Sequence, residues 1–76
     1  MATILLDLVG LKCPWPAMRT KKALAALQIG DRLDVRCTDP MAAIDIPHLV
    51  NITGNRLVES ARGDDGLSFL IEKAVI

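Results

Sequence analysis

Asp31-Arg32-Leu33-Asp34-Val35-Arg36-Cys37-Thr38 alternates without a fault, with Leu33, Val35 and Cys37 on one side and Asp34, Arg36 and Thr38 on the other. Period-two alternation with one apolar side is the pattern of a half-buried strand. Upstream, Thr3 to Leu8 reads as a second strand with Ile4, Leu6 and Leu8 on one face. Between the two, the span from Pro14 to Gln28 sets Ala17, Thr20, Leu24 and Leu27 on one helical stripe and leaves Arg19, Lys22 and Ala26 off it. Gly30 is placed to end that helix in a left-handed conformation. A strand–helix–strand unit crosses over right-handed, so these two strands are expected to be parallel, with their C-terminal ends at one edge of the sheet.

Downstream, Asp39-Pro40 has the form of a helix cap followed by proline at the first helical position, and Asp45-Ile46-Pro47 repeats that signal six residues later. Proline deep in a helix breaks it. The reading is therefore a short turn over 40–44 and a main helix over 46–53, with Ile46, Leu49, Val50 and Thr53 on one face and Gly54 as the stop. Arg56 to Ala61 and Leu67 to Lys73 read as two closing strands joined by the loop Arg62-Gly63-Asp64-Asp65-Gly66. The order β-α-β-α-β-β predicts an α/β (α+β) two-layer sandwich with both helices on one face of the sheet. The turn at Cys13 and the 38–46 loop should share one sheet edge, where sites of open α/β sheets lie.

At 76 residues the chain is expected to be a single domain, 1–76. A hydrophobic fraction of 51% and a mean hydropathy of +0.36 support a packed core and argue against disorder. Nine basic residues balance nine acidic ones. That leaves no basic footprint, so no direct nucleic-acid partner is expected. Met1 to Asp7 has no positively charged start, and Asp7 interrupts its apolar run, so neither a signal peptide nor a membrane partner is expected. Two cysteines are too few for a disulfide scaffold, and the chain reads as cytoplasmic with reduced thiols.

Cys13-Pro14-Trp15-Pro16 carries the chemistry. With Cys13 as N-cap, Pro14, Trp15 and Pro16 occupy the first helical turn, where proline is tolerated. The helix end would favour a thiolate, and the Trp15 amide would donate to the Cys13 sulfur. Lys12 and Arg19 would add a modest positive potential. Position 16 is proline rather than cysteine, which disfavours a dithiol redox cycle. Cys37 shares the register of Leu33 and Val35 and reads as core. Asp39 and Asp45 read as helix caps, and Trp15 either as a lid over the helix end or as a partner contact.

The chain resembles the TusA/SirA-like sulfur carrier (sulfurtransferase) family over nearly its whole length. The resemblance rests on Leu6-Asp7-Leu8, Gly10-Leu11, the Cys-Pro-x-Pro run at 13–16, Asp39-Pro40, Asp45-Ile46-Pro47, Gly54 and Phe69-Leu70-Ile71-Glu72-Lys73, in that order. It implies a mixed four-stranded sheet, order 1-2-4-3, covered by two helices. It also implies that Cys13 accepts sulfane sulfur as a persulfide from a cysteine desulfurase or other sulfur donor protein and passes it to a downstream sulfur acceptor protein. The destinations it implies are tRNA thiolation, molybdenum cofactor assembly or sulfur metabolism. Val9, Trp15 and Asn55 depart from the family's usual residues, and all three are expected on the surface around the thiol.

No cofactor is expected. One histidine, His48, and two distant cysteines do not make a metal site. Whether a carrier that needs partners at both ends counts as an enzyme is left open. The alternative reading is a thiol-based redox or regulatory module, or a plain protein-interaction module.

Overall fold

The computed structural model describes residues 2–75. β1 (Thr3–Leu8), α1 (Trp15–Ala25), β2 (Arg32–Cys37), α2 (Ala42–Thr53), β3 (Arg56–Gly63) and β4 (Gly66–Glu72) follow in the expected order. The sheet runs β1-β2-β4-β3. β1 lies parallel to β2, with Leu8 beside Cys37, whereas β4 is antiparallel to both β2 and β3.

The alternation read in β2 is the alternation observed. Leu33, Val35 and Cys37 are buried, as are Leu67, Phe69 and Ile71 next to them on β4. Leu24 of α1 and Ala42, Ile46 and Val50 of α2 close over that face to form one core. The opposite face carries polar pairs instead. Arg36 Nε sits 2.9 Å from Asp34, and Arg32 Nε sits 3.3 Å from Glu72. Such exposed pairs contribute about 0–1 kcal/mol each, so the helix-covered face holds the fold together.

Apart from shifts of a residue or two at other ends, three element boundaries differ from expectation. α1 ends at Ala25 rather than Gln28, because the Ala26 and Leu27 amides bond back three residues, to Ala23 and Leu24, and tighten the last turn. Gly30 has φ +95°, but it turns the chain into β2 rather than ending the helix, and its amide donates to the Lys73 carbonyl. The 62–66 loop contracts to a two-residue turn, Asp64-Asp65, between paired Gly63 and Gly66. Gly66 has φ +129°, and a Cβ there would lie 2.5 Å from the Cys37 carbonyl oxygen, so the hairpin end approaches β2 too closely for any side chain.

The third correction concerns α2, which is continuous from Ala42 with Pro47 inside it. Proline in a helix interior costs about 3 kcal/mol. Against that stand Ile46, Leu49 and Val50, whose burial contributes about 1.5–3 kcal/mol each. Burial wins, and the helix runs through its proline. Its end is as expected: Gly54 adopts φ +78°, its amide donates to the Asn51 carbonyl, and the Asn55 amide donates to Val50. That pair of bonds is a Schellman cap.

Candidate functional site

β1 ends beside β2, and the chain must leave the sheet there. Gly10 takes φ +86° and donates its amide to Thr38 Oγ1 at 3.0 Å, tying the first turn to the end of β2. The Leu11 amide donates back to Leu8, and the Trp15 amide donates to the Lys12 carbonyl at 2.9 Å. Cys13 and Pro14 form the corner of that second turn, with a cis peptide between them. Pro14 is the N-cap, so Trp15 and Pro16 are the first two helical residues.

The expected cap geometry is therefore displaced by one residue. Cys13 precedes the N-cap, and the Trp15 amide is spent on Lys12 rather than on the sulfur. Pro16 is buried, and its carbonyl accepts the Thr20 hydroxyl at 2.8 Å.

Two carboxylates from the other side of the sheet edge take hold of Cys13. Asp39 Oδ2 accepts the Cys13 amide, while its Oδ1 accepts the Met41 amide at 3.1 Å. One side chain thus fixes the thiol turn and starts α2. Asp45, in the first turn of α2, does not act as the expected cap. Its Oδ2 lies 3.3 Å from Cys13 Sγ and accepts the thiol hydrogen. Cys13 and the 38–46 loop do share one edge, as the parallel crossover requires.

The electrostatic expectation is reversed. The hydrogen bond to Asp45, slight desolvation, and the charges of Asp45 and Asp39 all raise the Cys13 pKa above the ordinary thiol value. The thiol, not the thiolate, is the resting form. Cys37 is also raised, mainly by burial, and is 1% exposed in the core as its register requires. Both thiols are free, and Cys13 is exposed.

Trp15 is 51% exposed, half covered at the helix end and half open to a partner. Val9, Met18, Met41 and Ile44 are exposed as well, all on the segments that meet at Cys13. Asn55 does not belong to this surface. It follows the far end of α2, about 18 Å along the helix from its start, and its Oδ1 accepts the Ala74 amide. His48 is exposed on α2, and no cluster of potential metal ligands occurs among the described residues. A groove lies on the open face of the sheet, between Asp7, Arg36 and the hairpin tip at Arg62, and its lining does not include Cys13. Among the described residues, no helix is long and apolar enough to cross a membrane.

The sequence signals that marked Asp39 and Asp45 were those of helix caps. Nothing local could show that both side chains would be turned toward Cys13, 26 and 32 residues earlier.

Comparison with known proteins agrees with this architecture. The family profile described as "Sulfurtransferase TusA" matches residues 4–73. The chain is 42% identical over 69 residues to a protein of Allochromatium vinosum named "Sulfur carrier protein TusA", covering 91% of each. The crystal structure of a SirA-like protein from Desulfitobacterium hafniense superposes with a TM-score of 0.74 at 29% identity, covering 95% of each chain. The profile match across nearly all of the sheet and both helices, with the shared fold, places this chain in the TusA family.

Proposed function

We propose that this protein is a sulfur carrier that accepts sulfane sulfur as a persulfide on Cys13 and relays it to an acceptor protein. The observation that carries the reading is the contrast in access: Cys13 is an exposed free thiol on a turn pinned from both sides, whereas Cys37 is sealed in the core. The relatives' names support the same role. An exposed thiol on a pinned turn suits a group that two partners must reach in succession, since a fixed orientation lowers the barrier of a bimolecular handover. The donor in this reading is a cysteine desulfurase or another persulfide-bearing protein. The acceptor decides whether the sulfur goes to tRNA thiolation, molybdenum cofactor assembly or sulfur metabolism. Trp15, Met18, Met41 and Ile44 form the apolar surface such partners would cover.

The test is to incubate the reduced protein with a cysteine desulfurase and cysteine, then to weigh it intact. One added sulfur, removable by cyanide and absent from Cys13→Ser, is the expected result. Sulfur found on Cys37, or none at all with any donor, refutes the reading.

A further inference from the structure

Asp45 has no structural task that accounts for its orientation. α2 is started by Asp39 and by backbone bonds from Ala42, Ala43 and Ile44 to Asp39, Pro40 and Met41. The Asp45 amide bonds to Met41, and among the described residues its carboxylate forms no ion pair and accepts its hydrogen bond from Cys13 Sγ. Its charge in the first turn of α2 suits the helix dipole, but that does not require it to face the sulfur, and a carboxylate within reach of a thiol hydrogen has the geometry of a proton acceptor.

We propose that Asp45 is the general base of sulfur loading, taking the Cys13 proton as the sulfur attacks. The inference rests on Cys13 being the carrier thiol. In the loading step Cys13 Sγ–H gives its proton to Asp45 Oδ2, and the freed electron pair forms an S–S bond to the outer sulfur of the donor persulfide. The donor's own S–S bond breaks, and its thiolate leaves and takes up a proton. Cys13–SH and R–S–SH become Cys13–S–SH and R–SH, so no outside oxidant or reductant is needed. The groups facing the sulfur are Asp45 on α2 and Asp39 in the loop before it, and both are acidic. They keep the resting thiol protonated, which protects it from random electrophiles. They also repel an ionised outer sulfur once it is loaded, directing it away from the protein and toward the acceptor.

The experiment sets loading against simple thiol reactivity in the same variants. Cysteine persulfide serves as the sulfur donor, read by intact mass, and iodoacetamide as the electrophile. Asp45→Asn removes the charge that holds the proton on, so alkylation of Cys13 should become faster at neutral pH. Loading should fall by about a hundredfold, the low end of what a positioned base contributes. Asp45→Glu should restore loading, and formate added to Asp45→Ala should restore part of it, which a merely structural role would not allow. If loading and alkylation rise together in Asp45→Asn, or loading does not change, Asp45 is only an electrostatic brake and the proposal is overturned while the carrier reading stands. If the wild-type protein is alkylated at Cys13 yet takes no sulfur, the carrier reading fails and the proposal fails with it.

Discussion

The two ends of the sandwich treat their charged groups in opposite ways. At the end away from the thiol, polar groups are matched to backbone. Asp31 accepts the Gln28 and Ala2 amides, Asn55 accepts Ala74, and the buried Lys73 ammonium donates to the Leu24 carbonyl at 2.7 Å. A cation on the last carbonyls of α1 also suits the helix dipole. At the thiol end the two carboxylates are turned onto a cysteine. One end is built for stability. The other gives up stability to keep a reactive group accessible.

The sharpest way to break this contrast is to ask how deep the accessible end goes. Cys13 should be alkylated at least about a thousandfold faster than Cys37 under native conditions, because Cys37 reacts only when the core opens, at a cost of ~4 kcal/mol or more. Comparable rates, measured by peptide mass after timed quenching, would mean that the thiol end is loose throughout.

A paired substitution tests the stability side. Lys73→Ala removes the charged donor from the Leu24 carbonyl, which keeps the Leu27 amide, and strips a buried side chain from the end of α1; it should lower unfolding free energy by about 1.5 kcal/mol. Trp15→Ala should change it by about 0.5 kcal/mol or less, since half of that side chain is already in solvent. Urea denaturation midpoints decide it, and an equal loss for both would erase the difference between the ends. Asp39→Ala is the intermediate case. It strands the Cys13 and Met41 amides at a partly exposed cap, for about 1 kcal/mol.

The smallest effects are in pH, and their signs are opposite. The Gln28 and Ala2 amides hold Asp31 below the usual carboxylate range. Its contribution is therefore present above the ordinary aspartate pKa and lost as pH falls through the folded value, below about pH 4. Cys13 is raised by Asp45 first, so its contribution is complete below the ordinary thiol range and lost as pH rises through the folded value. Thermal melts across pH should show Asp31→Asn flattening the acid limb alone and Asp45→Asn the alkaline limb alone.

What was legible in the sequence follows the range of the forces involved. Alternation in β2 and β4, the stripe of α1 and the stop at Gly54 are local patterns, and the fold obeys them. The start of α1 was misplaced by one residue because Lys12, not Cys13, claims the Trp15 amide. The short turn over 40–44 is helix instead from Ala42 onward, because Ala42 is buried in the core beside Ile46 and Val50 and extends their apolar face upstream of Pro47. The thiol itself was visible from its prolines, but its acidity was given the wrong sign. The helix end is a local feature, whereas Asp39 and Asp45 reach the sulfur only after the chain has folded back on itself.

The strand order has a further consequence, for synthesis. β4 sits between β2 and β3 and is the last strand to leave the ribosome. Until it emerges, β3 has no neighbour to pair with, one side of β2 is an open edge, and Lys73 cannot reach the end of α1. A nascent chain halted at the Asp64-Asp65 turn would hold its cysteine turn and both helix sequences, yet lack the strand that joins the halves. Folding is therefore deferred until β4 has emerged, and the pairings of β4 with β2 and β3 then close the sheet.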